Sequence, residues 1–278
     1  MKLDWISPGW HAPVQVQAVC TTRAGGISVA PFDSLNLGDH VGDTAANVLA
    51  NRSILQHSVA AKPVFLKQVH GTRVVHLTLE AVDEAANITA NGTENVTVMG
   101  TISAIEADAC ITTQRGIACT IMVADCLPVL LTNRAGSFVA AAHAGWRGLA
   151  GVNGVGVLEA VVESAQALET TASDIMAWLG PCIGATKFEV GQEVRDSFAS
   201  AHPGALRYFT PSAGGKWLAD LRGLARQRLR AMGITQIDGN DGSLPWCTAS
   251  NPSRFFSHRR DSASLGSSGR MAACIWLA

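Results

Sequence analysis

Short apolar runs rich in β-branched residues recur along the whole chain, and they most constrain what it can fold into: VQVQAVCTT, PVFLKQVH, TRVVHLTL, DACITT, IACTIMVA, PVLLTN, SFVAAAHA, IMAWLG and RMAACIWLA. Runs of this make-up between Gly, Pro, Asn and Ser read as strands. Between them lie segments with apolar residues three and four apart, the period of a helix. These are the region from about Arg147 to Leu168, KFEVGQEVRDSFASA, and KWLADLRGLARQRLRAMG, which Gly233 would terminate. Strands and helices mix throughout without a Pro/Ser-rich linker. That predicts one α/β (α+β) domain over residues 1–278, a mixed sheet core flanked by helices. Residues 81–103, polar and carrying N-x-T triplets at Asn87, Asn91 and Asn95, read as a long surface loop inserted between two strands.

Composition bounds the function. Hydrophobic residues make up 47% of the 278 and charged residues 15%, as in a compact folded protein. With 21 basic and 22 acidic side chains and no Lys/Arg run, the chain lacks the footprint of a partner for nucleic acid or an anionic membrane, leaving small-molecule chemistry. The most apolar stretch, IACTIMVADCLPVLL, is broken by Asp125 and Pro128 and is too short and polar to cross a bilayer. MKLDWISPGW carries Asp4 and Pro8 where a secretory signal needs an unbroken apolar core, so a soluble, cytoplasmic protein is expected and the N-x-T triplets are coincidental. Seven cysteines without a CxxC pair argue against a disulfide framework or zinc ribbon. The glycines from Gly145 to Gly156 tempt a dinucleotide reading, but Glu159 stands where the fingerprint needs its last glycine, and close helix packing explains them better.

Three segments put a metal-capable or nucleophilic side chain at the end of an apolar run: His70 in KQVHG, Cys126 in VADCLP and His143 in AAHAGWRG. Singly, each reads as a buried thiol or a satisfied imidazole. Together, two imidazoles and a thiolate match the ligands of a catalytic zinc site with one position left open. Asp125, beside the cysteine, is placed to orient the site or carry a proton, while Gly71, Ala144 and Gly145 would let backbone and substrate come close. Trp146 and Arg147 are expected to lock the helix start rather than touch substrate.

KQVHG, ADCLPVL, AAHAGWRG, GPCIG with FEVG, and CT followed by FFSHRRD and GR, in that order after TTRAGGIS, resemble the YfiH/laccase-domain family of purine nucleoside phosphorylases over nearly the whole chain. The resemblance implies a YfiH-like fold and a zinc ion, with copper less favoured, held by His70, Cys126 and His143. It implies phosphorolysis of adenosine, inosine and methylthioadenosine, deamination of adenosine, and an older attribution of copper-dependent phenol oxidation. In that frame Asp125, Cys126 and His143 would be catalytic, and Arg23, Asn36, Gln68 and Arg259 would bind substrate. Arg259 or Arg260 could instead pair with Asp261, and Asn36 could only cap a turn. The expected partners are purine nucleosides and phosphate, with no nucleic acid or membrane, and a monomer or homodimer. The 81–103 insertion makes the gap between His70 and Cys126 longer than in that family. Two other enzyme classes stay open: a cysteine hydrolase or amidase, including one editing cell-wall precursors, with Cys126 as nucleophile and His70 or His143 as base, and a copper phenol oxidase. A non-catalytic binding protein fits least.

Overall fold

A computed structural model describes residues 3–83 and 105–278. From residue 84 onward the insertion, with Asn87, Asn91 and Asn95, lies outside the described residues. The elements run β1 (Val16–Cys20), α1 (Ala45–Ser58), β2 (Lys62–Val64), β3 (Val74–His76), β4 (Ala109–Thr112), β5 (Ile117–Val123), β6 (Leu127–Asn133), β7 (Val139–Ala144), α2 (Trp146–Ala150), α3 (Val157–Gln166), β8 (Ile175–Leu179), β9 (Glu189–Val190), α4 (Gln192–Ala199), β10 (Phe209–Pro211), β11 (Trp217–Ala219), α5 (Leu221–Ala231), β12 (Gln236–Gly239), α6 (His258–Leu265) and β13 (Met271–Leu277).

The strands form a four-stranded sheet ordered β1-β13-β5-β2, a six-stranded sheet ordered β12-β8-β6-β7-β4-β3, and a small sheet β10-β11-β9. The two larger sheets are mixed: β2 runs parallel to β5, β3 to β4 and β12 to β8, and their other pairs are antiparallel.

Strand β5 shows how the layers stack. Ile117, Cys119, Ile121 and Val123 enter a core shared with Leu130, Ala141 and Trp178 of the six-stranded sheet. Ala118 and Met122, on the opposite face, meet Leu55 of α1. The far side of the six-stranded sheet, with Val129, Leu131, Ala140 and Ala142, packs on Leu149, Val157, Val161 and Leu224 from three helices. The chain is thus a mixed α/β fold in which helix, sheet, sheet and helices lie in sequence. Burial on both faces explains why β5 and β6 read as continuous apolar runs rather than alternating ones. The stretch IACTIMVADCLPVLL is these two strands and the turn between them, and no helix among the described residues is long and apolar enough to cross a membrane.

Three expectations shift at the helices. The helix expected from about Arg147 to Leu168 is two, α2 and α3, parted where Gly151 and Gly154 take φ of 66° and 80°. A Cβ at Gly151 would overlap the Val155 carbonyl. The helices expected over KFEVGQEVRDSFASA and KWLADLRGLARQRLRAMG begin late, because Glu189–Val190 and Trp217–Ala219 pair as strands first. Asp220 then caps α5 by accepting the Gly223 amide at 2.8 Å.

Candidate metal centre

The antiparallel pair β6 and β7 sets the site. Pro128 lies opposite His143, which places Cys126, just before β6, beside the end of β7. His70 comes from the loop after β2 and is held at φ 61°, a left-handed conformation rare outside glycine. The potential ligand atoms of His70, Cys126 and His143 all lie within 4.8 Å of one another. Cys126 Sγ stands 3.7 Å from His70 Nε2. Two ligands bonded to one tetrahedral zinc ion would be roughly 3.6 Å apart, so the donors fit such an ion in spacing and in type. A Cβ on Gly145 would come 2.8 Å from His70 Cδ2 and 3.1 Å from Cys126 Sγ, so only glycine leaves room there.

The residue that orders this cluster is Asp108, which the sequence reading missed. Its carboxylate is fully buried and accepts from His143 Nδ1 at 2.8 Å and from the backbone amides of Val69, His70 and Gly71 at 3.2, 2.8 and 2.6 Å. With Nδ1 so engaged, His143 presents Nε2 to the cluster. Burial works to raise the Asp108 pKa, but His143 and the amides outweigh it and hold the group below the usual carboxylate range. Burial also opposes ionisation of Cys126, yet His143 and His70 bring its thiol down to about 6. His143 moves the other way: Cys126 and Asp108 overcome burial and raise it to about 9. Each of the two groups thus favours the other's charged form.

The three side chains open on a cavity of about 410 Å³ whose walls include Trp146, Phe188, Arg147, Arg259 and Arg270. Of the residues expected at the site, Asp125, Gln68 and Arg259 also line this cavity. Gln68 spends its amide on the backbone of Met122, at 2.8 Å in both directions. Asp125 accepts from Thr248 Oγ1, Ser257 Oγ and the Arg259 amide at 2.5, 3.0 and 2.6 Å. Arg259 does not pair with Asp261; Arg260 does, at 2.6 Å.

Two expected contacts stand elsewhere. Arg23 stacks on Phe256 and pairs with Asp33 at 3.1 Å, beside a separate surface hollow. Asn36 is fully buried, its amide nitrogen bonded to the Gly38 carbonyl and Asp43, its oxygen to the amides of Gly38 and Arg270. Trp146 and Arg147, expected to lock the helix start, pack on each other at 4.4 Å at the start of α2, and both also line the cavity. Arg270 is the cationic wall that sequence reasoning passed over. Burial lowers its pKa, opposed by the charges of Cys126 and Asp125.

Comparison with known proteins finds relatives over nearly the whole chain. A family model described as multi-copper polyphenol oxidoreductase laccase matches residues 17–278. A protein of Pseudomonas aeruginosa named purine nucleoside phosphorylase is 45% identical over 274 residues, covering 98% of each chain. Purine nucleoside phosphorylase YfiH of Escherichia coli is 43% identical with the same coverage. Among solved structures, a Neisseria meningitidis protein is 40% identical with a TM-score of 0.80 over 99% of each chain. YlmD from Geobacillus stearothermophilus is 30% identical with a TM-score of 0.79, over 98% of this chain and 96% of its own. Matched in sequence and fold from end to end, this chain belongs to the YfiH/laccase-domain family.

Proposed function

We propose that this chain is a zinc-dependent purine nucleoside phosphorylase, acting on adenosine, inosine and methylthioadenosine, that also deaminates adenosine. The observation that carries the reading is the meeting of His70, Cys126 and His143 on one cavity with aromatic and cationic walls; relatives that bear the name purine nucleoside phosphorylase support it. Trp146 and Phe188 offer flat faces to a purine. Zinc held by the three side chains would supply a Lewis acid with an open position. In phosphorolysis an oxygen of phosphate bonds to C1′ as the C1′–N9 bond breaks. The electron pair goes to the purine, and the proton of the attacking phosphate ends on the base. The cavity guanidiniums offset the charge of phosphate as this happens. For deamination Asp125 is the proposed proton carrier, a role in which it releases one of its three donors.

One observation favours a second reading. Cys126 beside two imidazoles, with its thiol and His143 favouring each other's charged forms, is also the arrangement of a cysteine hydrolase, with Cys126 as nucleophile and His70 or His143 as base. Copper phenol oxidation has less support: the described residues hold one cluster of three His/Cys donors, and a multicopper centre needs several.

Base release from inosine, followed with zinc assayed and with phosphate and chelator each present or absent, separates these readings. Phosphate-dependent hypoxanthine release at stoichiometric zinc supports the phosphorylase, and adenosine turning to inosine without phosphate supports the deaminase. No release under any condition, with iodoacetamide blocking another hydrolytic activity that chelators spare, moves the assignment to the hydrolase.

A further inference from the structure

The cavity arginines differ from most others in the molecule. Arg23, Arg52, Arg222, Arg228 and Arg260 each meet a carboxylate within 3.2 Å. Arg147, Arg259 and Arg270 make no ion pair among the described residues, although all three face one cavity. Three guanidiniums outnumber the carboxylate of Asp125 and the thiol of Cys126 on the same cavity, and such an excess of positive charge attracts an anion.

The three are not equivalent. Arg147 lies over the Trp146 ring at 4.4 Å, and Arg259 lies 5.6 Å from the Phe188 ring with Nη1 on the Glu189 carbonyl at 3.0 Å. Both belong to the aromatic wall. Arg270 has no ring partner among the described residues and is fixed from behind. Its Nη1 donates to the carbonyls of Ser268 and Gly269 at 2.7 and 3.2 Å, while its Nε and Nη2 make no hydrogen bond among the described residues. Its backbone amide donates to Asn36 Oδ1 at 2.9 Å, and its carbonyl accepts from Leu37 at 3.0 Å. Its side chain lies across Gly38, where a Cβ would approach Arg270 Cγ to 2.7 Å. The LNLG segment therefore brackets the backbone and stem of Arg270, which ties Asn36 and Gly38 to the site although neither lines the cavity.

We infer that Arg270 is the oxyanion-binding residue of the site: its free Nε and Nη2 edge receives two phosphate oxygens side by side, while the aromatic wall with Arg147 and Arg259 receives the base. The assignment deepens the phosphorylase reading and rests on it for the identity of the anion. A planar fork held at one corner suits bidentate oxyanion binding, which a lysine in its place would not reproduce.

The test uses the zinc-containing protein and inorganic phosphate, in two assays. In titration calorimetry without nucleoside, Arg270→Gln weakens phosphate binding by about 10- to 100-fold, and Arg270→Lys by less. In inosine phosphorolysis, the same variants raise KM for phosphate by a similar factor, with KM for inosine and zinc content unchanged. Equal phosphate affinity in wild type and both variants, or no binding of millimolar phosphate by the wild type, overturns the inference. Wild type that binds phosphate through Arg270 yet releases no base would leave the oxyanion site standing and overturn the phosphorylase reading instead. Should Arg270→Gln fail to fold, Arg270→Lys, which keeps the charge and stem, decides the matter.

Discussion

Asp108 joins two separated ligands through one carboxylate: the loop carrying His70 by three amides, and the ring of His143 by one nitrogen. Asp108→Asn keeps the shape but turns an NH₂ group toward a donor. Zinc affinity should fall by about 10- to 100-fold in chelator competition, with the fold retained. Wild-type affinity in that variant would show that Asp108 does not position the ligands. The thiol of Cys126, held down to about 6, gives a second prediction. Because its pKa is lowered, the reactive thiolate is present above about pH 6 and lost below it. Alkylation of zinc-free protein by iodoacetamide should be near its plateau at pH 7, and His143→Ala should move the midpoint toward the ordinary thiol range. A wild-type midpoint near 9 would show that the two imidazoles do not lower the thiol. His70, Cys126 and His143 were legible because each ends an apolar run in a distinctive segment. Asp108 was not, since an acid before a short strand has no signature until β4 pairs with β7 and brings it to His143.

At the scale of elements, the junction of β7 and α2 matters most. Gly145 takes extended backbone there, and its missing Cβ is the space in which His70 and Cys126 meet. Gly145→Ala should abolish stoichiometric zinc while leaving the far-ultraviolet dichroism unchanged; full zinc occupancy in that variant would mean the loop of His70 can retreat. The long strands were legible from composition, whereas β9 to β12, two to four residues each, were too short to show a period. Helix α1 was missed for a different reason. Asn51 and Arg52 are buried on it, so its inward face reads as polar. Asn51 bonds Ser28, Ser34 and Asn36, and Arg52 bonds Leu37 and Asp39, so the helix holds the segment that in turn brackets Arg270.

For the whole molecule, the alternation of apolar runs and helical periods sufficed for a mixed α/β class but not for the division into two large stacked sheets. Continuous apolar strands do not say which face meets a helix and which meets another sheet. The alanines of β7 mark the helical side. Ala140 and Ala142 are fully buried in the layer that also holds Val157 and Val161 of α3. Ala142→Leu should overfill that layer at a cost of about 1–3 kcal/mol, read as a lower denaturation midpoint with an unchanged slope; an unchanged midpoint would show that the layer has slack.

Strand β13 follows every other strand in the chain yet lies inside its sheet, pairing with β1 on one side and β5 on the other, with Arg270 just ahead of it. A polypeptide made from its N-terminus therefore carries β1 and β5 with facing edges unfilled until this strand emerges. Sheet closure and delivery of the arginine are then one late event in biosynthesis. An interrupted chain would present sticky edges to its neighbours and to chaperones before it could present a working cavity.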